Sequence, residues 1–315
     1  MPRPIHACLA VLSLLLAACE GAPGDQRAGN QASPVALTQE SHPLAGTIWD
    51  VDAGAPISAD ALTARLAEAD IVILGEVHDN PQHHARQADL VAELSPNGLA
   101  FEMVPEGSEE GIAAYLDAGG TPGGIGPAIG WDRLGWPDWS LYRPIFEAAP
   151  AAYIAGGAVA SRDLSRALRA GAAAGFGRGA GRYDLDIAPD PATMTELEDE
   201  MIAAHCNKLP RVAARSMAEA QRLRDARFAR AAERAWGLGG GLAVLITGNG
   251  HARSDRGVPA YLAVGAPNLS VLSLGQVEVV NGADQVADYE NWGLPYDYVW
   301  FSARADRPDP CDSFQ

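Results

Sequence analysis

The chain has 315 residues, 48% hydrophobic and 20% charged, enough to bury the core of one large α/β domain or two smaller ones. A formal charge of −17 argues against a nucleic-acid partner, which calls for basic patches facing the phosphate backbone. Beyond solubility the charge says little.

Arg3 precedes an apolar run over residues 7–16, too short to span a bilayer but of the right length for a signal-peptide core. The run ends Leu16-Ala17-Ala18-Cys19, which resembles the lipobox of bacterial lipoproteins. That resemblance implies cleavage before Cys19 and acylation of Cys19, for example by palmitate; an ordinary secretory signal is the rival. Glu20 after the cysteine favours the outer over the inner membrane. Residues 19–43 read as a small-residue, Pro/Gly/Gln-rich tether that leaves a domain over 44–302 and a tail over 303–315. With Cys8 in the signal and Cys19 lipidated, Cys206 and Cys311 remain. In an oxidising compartment they are expected to pair; a metal site or reactive thiol is the alternative, without C-x-x-C spacing to support it.

An edge strand is expected near 47–51 and a helix over 58–68. Residues 71–74 (IVIL) form the first core strand and run through Gly75 into Glu76, His78, Asp79, His83 and His84. Asn80 followed by Pro81 predicts an N-capped helix to Leu94. On it His84, Ala88 and Val91 share the apolar stripe and His83 lies on the flank. A second strand, 98–103, carries Glu102, and a helix is expected over 109–116. Residues 119–130 are too rich in Gly and Pro to be an element. In 131–142 three tryptophans precede Tyr142, as core anchors or as the wall of a flat apolar slot. A helix over 141–148 and a third strand over 152–155 come next.

Arg162 then opens a helix over 164–174, where it either meets an anion or forms a surface ion pair. Asp190-Pro191 opens an acidic helix to about His205, and a long helix follows over 211–236. Met217, Gln221, Arg224, Phe228, Ala231 and Ala235 fall in one arc of it, with Asp225 at the margin. Arg224 on that face needs an anionic partner, from the protein or from a ligand. Strands over 242–247, 269–274 and 298–301 complete the pattern, and Gly248-Asn249-Gly250 turns His251 towards the strand ends. Alternating strands and helices predict an α/β fold: a mostly parallel β-sheet with helices on both faces, plus a helical insertion.

Glu76 and His78, Glu102 and His251 thus end three separate strands, where open α/β sheets place their ligand crevices. Imidazoles and carboxylates in convergence suit a divalent metal or acid–base chemistry. The H-E-x-x-H helix, G-x-S-x-G elbow and Walker loop are absent.

The segments GEVHDNPQHHARQ, FEM, AHCNKLP, AEAQRLRDARFA and ITGNGHAR, in that order, resemble the ChaN-like haem-binding lipoproteins, a branch of a superfamily shared with Tiki-type proteases and erythromycin esterases. The resemblance runs from about Leu44 to Phe301; Asn207-Lys208 stands where Gly-His is expected. It implies an α/β domain that binds haem at an outer membrane, assists haem or iron acquisition and forms a homodimer, with an outer-membrane haem receptor as a further partner. The wider superfamily's catalytic pattern falls on Glu76, His78, Glu102 and His251. An axial haem ligand must be Tyr, His, Cys or Met; Tyr142 is the first choice, then His78 and His84. Arg224 or Arg162 is placed for a propionate, and Gln221 lies beside Arg224. The favoured reading is a lipid-anchored haem-binding protein without chemistry of its own. The alternative is a metal- or His/Glu-dependent hydrolase.

Overall fold

Successive side chains of a strand point to opposite faces, and Ile71–Glu76 is buried at all six positions, so this strand must be covered on both sides. Val72 and Leu74 face one apolar cluster, with Leu99, Phe101, Val244 and Ile246. Ile71 and Ile73 face another, with Ala100, Ala155, Ala243 and Leu245.

The computed structural model describes residues 35–290, 293–309 and 311–312. The expected signal segment, Cys19 and most of the tether lie outside the described residues. The first part of the chain gives β1 (Leu37–Thr38), β2 (Ile48–Asp50), β3 (Ala55–Ile57), α1 (Ala59–Leu66), β4 (Ile71–Glu76), α2 (Pro81–Leu94) and β5 (Gly98–Pro105). The middle gives α3 (Glu109–Asp117), α4 (Ile125–Ile129), α5 (Trp139–Ala148), β6 (Tyr153–Ala158), α6 (Ser161–Ala170), α7 (Ala172–Phe176), α8 (Pro191–Ala204) and α9 (Arg211–Gly239). The last part gives β7 (Ala243–Gly248), α10 (Asn249–Ala252), α11 (Val258–Gly265), β8 (Val271–Glu278), α12 (Val286–Glu290), β9 (Tyr298–Ser302) and β10 (Arg304–Ala305).

Among the described residues, eight strands form one sheet in the order β3-β2-β9-β8-β4-β7-β5-β6. The six from β9 to β6 run parallel, and β2 and β3 close one edge antiparallel. The expected α/β architecture is therefore the one adopted. On one face lie α1, α2 and α5, with Phe146 stacked on Phe101 at 4.1 Å. On the other lies α9, packed across β5, β6 and β7. The helix α8 packs on α9 through Met194, Leu197 and Ala218. No helix among the described residues is long and apolar enough to cross a membrane.

Several boundaries differ from those expected. Residues 122–124 form a 3-10 turn and α4 follows, inside the stretch read as having no element. A tertiary contact explains it: Ile125 is buried, and the Trp139 indole N–H donates to the Gly123 carbonyl at 3.0 Å. The helix expected over 164–174 is two, α6 and α7, divided where Gly171 adopts φ 88°. Strand pairing reaches Leu37–Thr38, within the stretch read as tether, through an antiparallel contact with β10.

Cys206 and Cys311 form a disulfide that joins residues 105 apart, so the metal and free-thiol alternatives for them fall away. Closing so long a loop restricts the unfolded chain and is worth roughly 2–4 kcal/mol. Urea denaturation of Cys206→Ser/Cys311→Ser should show a loss of about that size, and a reducing agent should then lower the wild type but not the variant.

Candidate functional site

The carboxyl ends of β4, β5 and β7 deliver Glu76, Glu102 and, one short turn later, His251 to one place. Asn80 caps α2 by accepting the Gln82 N–H at 3.0 Å, with Pro81 in the first turn as the sequence leads one to expect. The β4–α2 turn is thereby fixed, and His78 is fixed within it.

Glu76 is 2% exposed and has two hydrogen-bond donors and a third neighbour. Its Oε1 accepts from the Tyr142 hydroxyl at 2.7 Å and from His78 Nδ1 at 2.8 Å. Its Oε2 lies 3.3 Å from His84 Nδ1. The Nε2–H of His84 donates to the His78 carbonyl at 2.8 Å, so His84 joins both ends of this turn. With Nδ1–H engaged, His78 keeps Nε2 for other partners. Its side chain is 35% exposed and its ring meets Trp136 at 5.1 Å. Gly248 faces that ring: a Cβ there would lie 3.1 Å from Nε2. Burial opposes charge on His78, but the hydrogen bond to Glu76 and the fields of Glu102, Glu76 and Asp79 outweigh it and push the pKa up to about 9.

Glu102 sits between two histidines. Its Oε2 accepts from the Thr247 hydroxyl at 2.7 Å and the Gly248 N–H at 2.8 Å, and its Oε1 lies 3.5 Å from His251 Nε2. Burial would raise its pKa, yet the charges of His251 and His78 and these donors hold it below its ordinary value. His251 Nδ1 donates to Asp225 Oδ1 at 2.6 Å, and the Gln221 amide nitrogen lies 3.2 Å from the same ring nitrogen. Burial lifts Asp225 to about 6 against the pull of His251. Burial also opposes the imidazolium of His251, but Glu102 and Asp225 together hold its pKa above the ordinary value.

Beside Glu102 and His251 opens a cleft of about 530 Å³, within the roughly 300–1,000 Å³ of small-molecule sites. Met103, Leu134, Trp136, Val159, Leu164 and Phe228 supply its apolar wall, and Arg133 and Arg224 its cations. Neither arginine has an ion-pair partner among the described residues. Those residues also hold no cluster of three or more His, Cys, Asp or Glu side chains arranged to bind a metal ion.

Other expected site residues lie elsewhere. Tyr142 is fully buried against His84 and Trp131, and its hydroxyl is committed to Glu76, so it does not reach the cleft surface. Arg162 is 83% exposed and lies 3.6 Å from Asp163. Trp131 and Trp139 are anchors in the core, while Trp136 alone of the three lines the cleft. His83 is not a bystander on the flank of α2: it is fully buried, accepts the Val77 N–H at 2.9 Å and donates to Ser302 at 2.6 Å. Burial and Arg86 keep it neutral, with a pKa well below the usual one.

Asp225 was missed as a site residue, although its pattern was readable. It shares a face with Ala214, Ala218, Ala229 and Ala232, all buried, where its carboxylate demands a partner. The expected arc was centred about one residue away.

The raised pKa of His78 has a consequence for stability. Relative to an ordinary value of 6.5, its protonated form is favoured in the folded state; the gain is complete below 6.5 and fades as pH climbs to about 9. Denaturation of the protein and of His78→Asn should therefore show a stability gap that narrows between pH 6.5 and 9.5. A constant gap would mean that the charged imidazole is not held.

The family model for haem-binding uptake, Tiki superfamily, ChaN matches residues 62–262. Among solved structures, the one described as cofacial heme binding to ChaN of Campylobacter jejuni aligns with a TM-score of 0.64 at 16% identity, over 82% of this chain and 97% of its own. The type III effector HopBA1 aligns at 12% identity over 88% of this chain and 100% of its own, with a TM-score of only 0.41. No curated protein matches the sequence significantly. Since the matched segment is well over half of the 315 residues, the chain belongs to the ChaN haem-binding uptake family of the Tiki superfamily.

Proposed function

We propose that this chain is a lipid-anchored haem-binding protein of the bacterial cell envelope that assists haem or iron uptake, with the cleft beside β5 and β7 as the haem site. The observation that carries this reading is the lining of that cleft, an apolar wall with Trp136 and Phe228 and two arginines without carboxylate partners, with His78 beside it against the Trp136 ring.

These residues fit haem by their chemistry. His78 is oriented through Nδ1 by Glu76, the carboxylate–histidine pairing that fixes tautomer and ring direction in metal-binding histidines. Its Nε2, once it gives up its proton, would be the nitrogen offered to iron. Arg133 and Arg224 supply forked donors for two propionates. Trp136, Leu134, Met103 and Phe228 exclude water from the macrocycle's faces. Haem, when bound, supplies the iron that makes the complex a carrier. Glu76, His84 and Tyr142 stand behind His78 and hold it in place. Of Tyr142 and His78, His78 is the better candidate to hold the iron, because its ring is partly exposed while the Tyr142 hydroxyl is buried and committed to Glu76.

Lipid attachment at Cys19, residence at the outer membrane, a homodimer and an outer-membrane receptor that exchanges haem remain parts of this proposal. Their support is the lipobox, the acidic residue after it and the family.

A second reading, His/Glu-dependent hydrolysis of an envelope ester or peptide, is favoured by one observation. His251 lies between Asp225 at 2.6 Å and Glu102 at 3.5 Å, a buried imidazole oriented on one side and facing a carboxylate on the other. Turnover of an ester or peptide panel, lost in His251→Ala, would establish it.

Hemin titration followed at the Soret band tests the main reading. His78→Ala should shift the band and weaken binding by about tenfold or more, and Arg133→Ala/Arg224→Ala should weaken it by a similar factor. Tyr142→Phe should leave the band in place while lowering stability by about 1–3 kcal/mol, because it removes a donor to a buried carboxyl group. Weak binding, unmoved by His78→Ala and by Arg133→Ala/Arg224→Ala, overturns the assignment.

A further inference from the structure

In a chain with a formal charge of −17, one surface cleft has the opposite character. It measures about 290 Å³ and is lined by Arg178, Arg182, Arg230 and Arg234, with Glu233 the only acid among its lining residues. The arginines come from three segments. Arg178 occupies the turn after α7, between Gly177 and Gly179, both at positive φ. Arg182 belongs to the 3-10 turn Ala180–Tyr183. Arg230 and Arg234 are one helical turn apart on α9.

Three of the four guanidinium groups are held from behind. Arg230 pairs with Glu106 and lies over the Phe176 ring at 4.8 Å. Arg234 pairs at 2.9 Å with Glu109, itself buried and accepting the Gly156 N–H. Arg182 pairs with Glu233 and donates to the Gly265 carbonyl at 2.9 Å. Glu233 is further occupied by the Tyr183 hydroxyl at 2.7 Å. Arg178 is exposed and has no carboxylate partner among the described residues. Each guanidinium has five N–H donors, and these contacts leave several of them uncommitted. The result is three cationic forks held in position around an open space, with the exposed Arg178 beside them and more positive than negative charge on its walls.

We infer that this cleft binds a phosphate group carried on a small organic moiety, at a site separate from the haem cleft. The geometry chooses phosphate over carboxylate. A carboxylate is filled by a single fork, whereas a phosphomonoester carries close to two charges and three acceptor oxygens that can meet donors from several sides. The cleft also exceeds what bare phosphate needs, leaving room for the group that bears it. A free phosphate ester and a phospholipid headgroup present this same chemistry. The inference does not depend on the haem reading, since none of the four arginines lines the haem cleft.

Calorimetric titration of the full chain, at matched ionic strength in chloride, tests it with inorganic phosphate, glycerol 3-phosphate and short-chain phosphatidic acid below its micellar concentration. Saturable binding is expected for glycerol 3-phosphate and phosphatidic acid. Arg178→Ala/Arg182→Ala should weaken it by about tenfold or more, the value of a lost charge-assisted hydrogen bond, while the variant's hemin titration matches wild type. Arg178→Ala alone removes no internal ion pair and guards against a folding defect in the double variant. Tighter binding of phosphatidic acid than of glycerol 3-phosphate would identify a lipid headgroup as the source; equal binding would identify a free phosphate ester. Absence of saturable binding for all three probes, or binding unchanged in both variants, overturns the inference.

Discussion

A carboxyl group removed from water has to be given hydrogen-bond partners by the protein, or it destabilises the fold by several kcal/mol. Glu76 is in that position, at the end of a strand buried on both faces. Its hydrogen-bond donors arrive from two places, Tyr142 from α5 and His78 from the turn between β4 and α2, while His84 of α2 stands 3.3 Å from its second oxygen. The contacts at Glu76 Oε1 therefore tie a helix of one layer to the sheet and set the direction of the one histidine of the group that faces outward. Trp131 and Trp139 serve this arrangement at one remove, packing with Tyr142 and the α5 face that carries it.

On the opposite face the constraint is repeated with different residues. Asp225 is buried in the middle of α9, and His251 is its partner. Because α9 also packs across β5, β6 and β7, the Asp225–His251 pair locks the long helix in register with the strand ends. Glu102 lies between the two histidine–carboxylate pairs and is stabilised by the charge of both. The cleft wall is thus assembled from both layers of the fold, and neither layer contains the site by itself.

The end of the chain adds a third anchor. Arg307 donates to Asp79 at 2.6 and 2.7 Å and to Glu278 at 2.7 Å, while the Asn80 amide donates to Glu278 and to the Ala303 carbonyl. His83 reaches Ser302. The turn that carries His78 is therefore clamped by residues 198 to 228 positions away, and the disulfide at Cys311 fastens the end of that clamp to the corner between α8 and α9.

Local sequence signals determined a good deal. Apolar runs alternating with helical segments wrote the parallel sheet, Asn80-Pro81 wrote the start of α2, and acids and histidines directly after strands wrote the position of the crevice. Those signals survive because apolar runs, helix capping and strand-end location depend on near neighbours in the chain. The pairings were a different matter. Tyr142 followed three tryptophans and read as a ligand, yet its hydroxyl is turned to Glu76, 66 residues earlier. His83 read as incidental, yet it is held by Val77 and Ser302. Asp225 read as marginal because its partner lies in another element. Helical phase states which side a residue is on; only the packed structure decides what stands opposite, because burial makes each polar group's partner a matter of distance in space and not of distance in sequence.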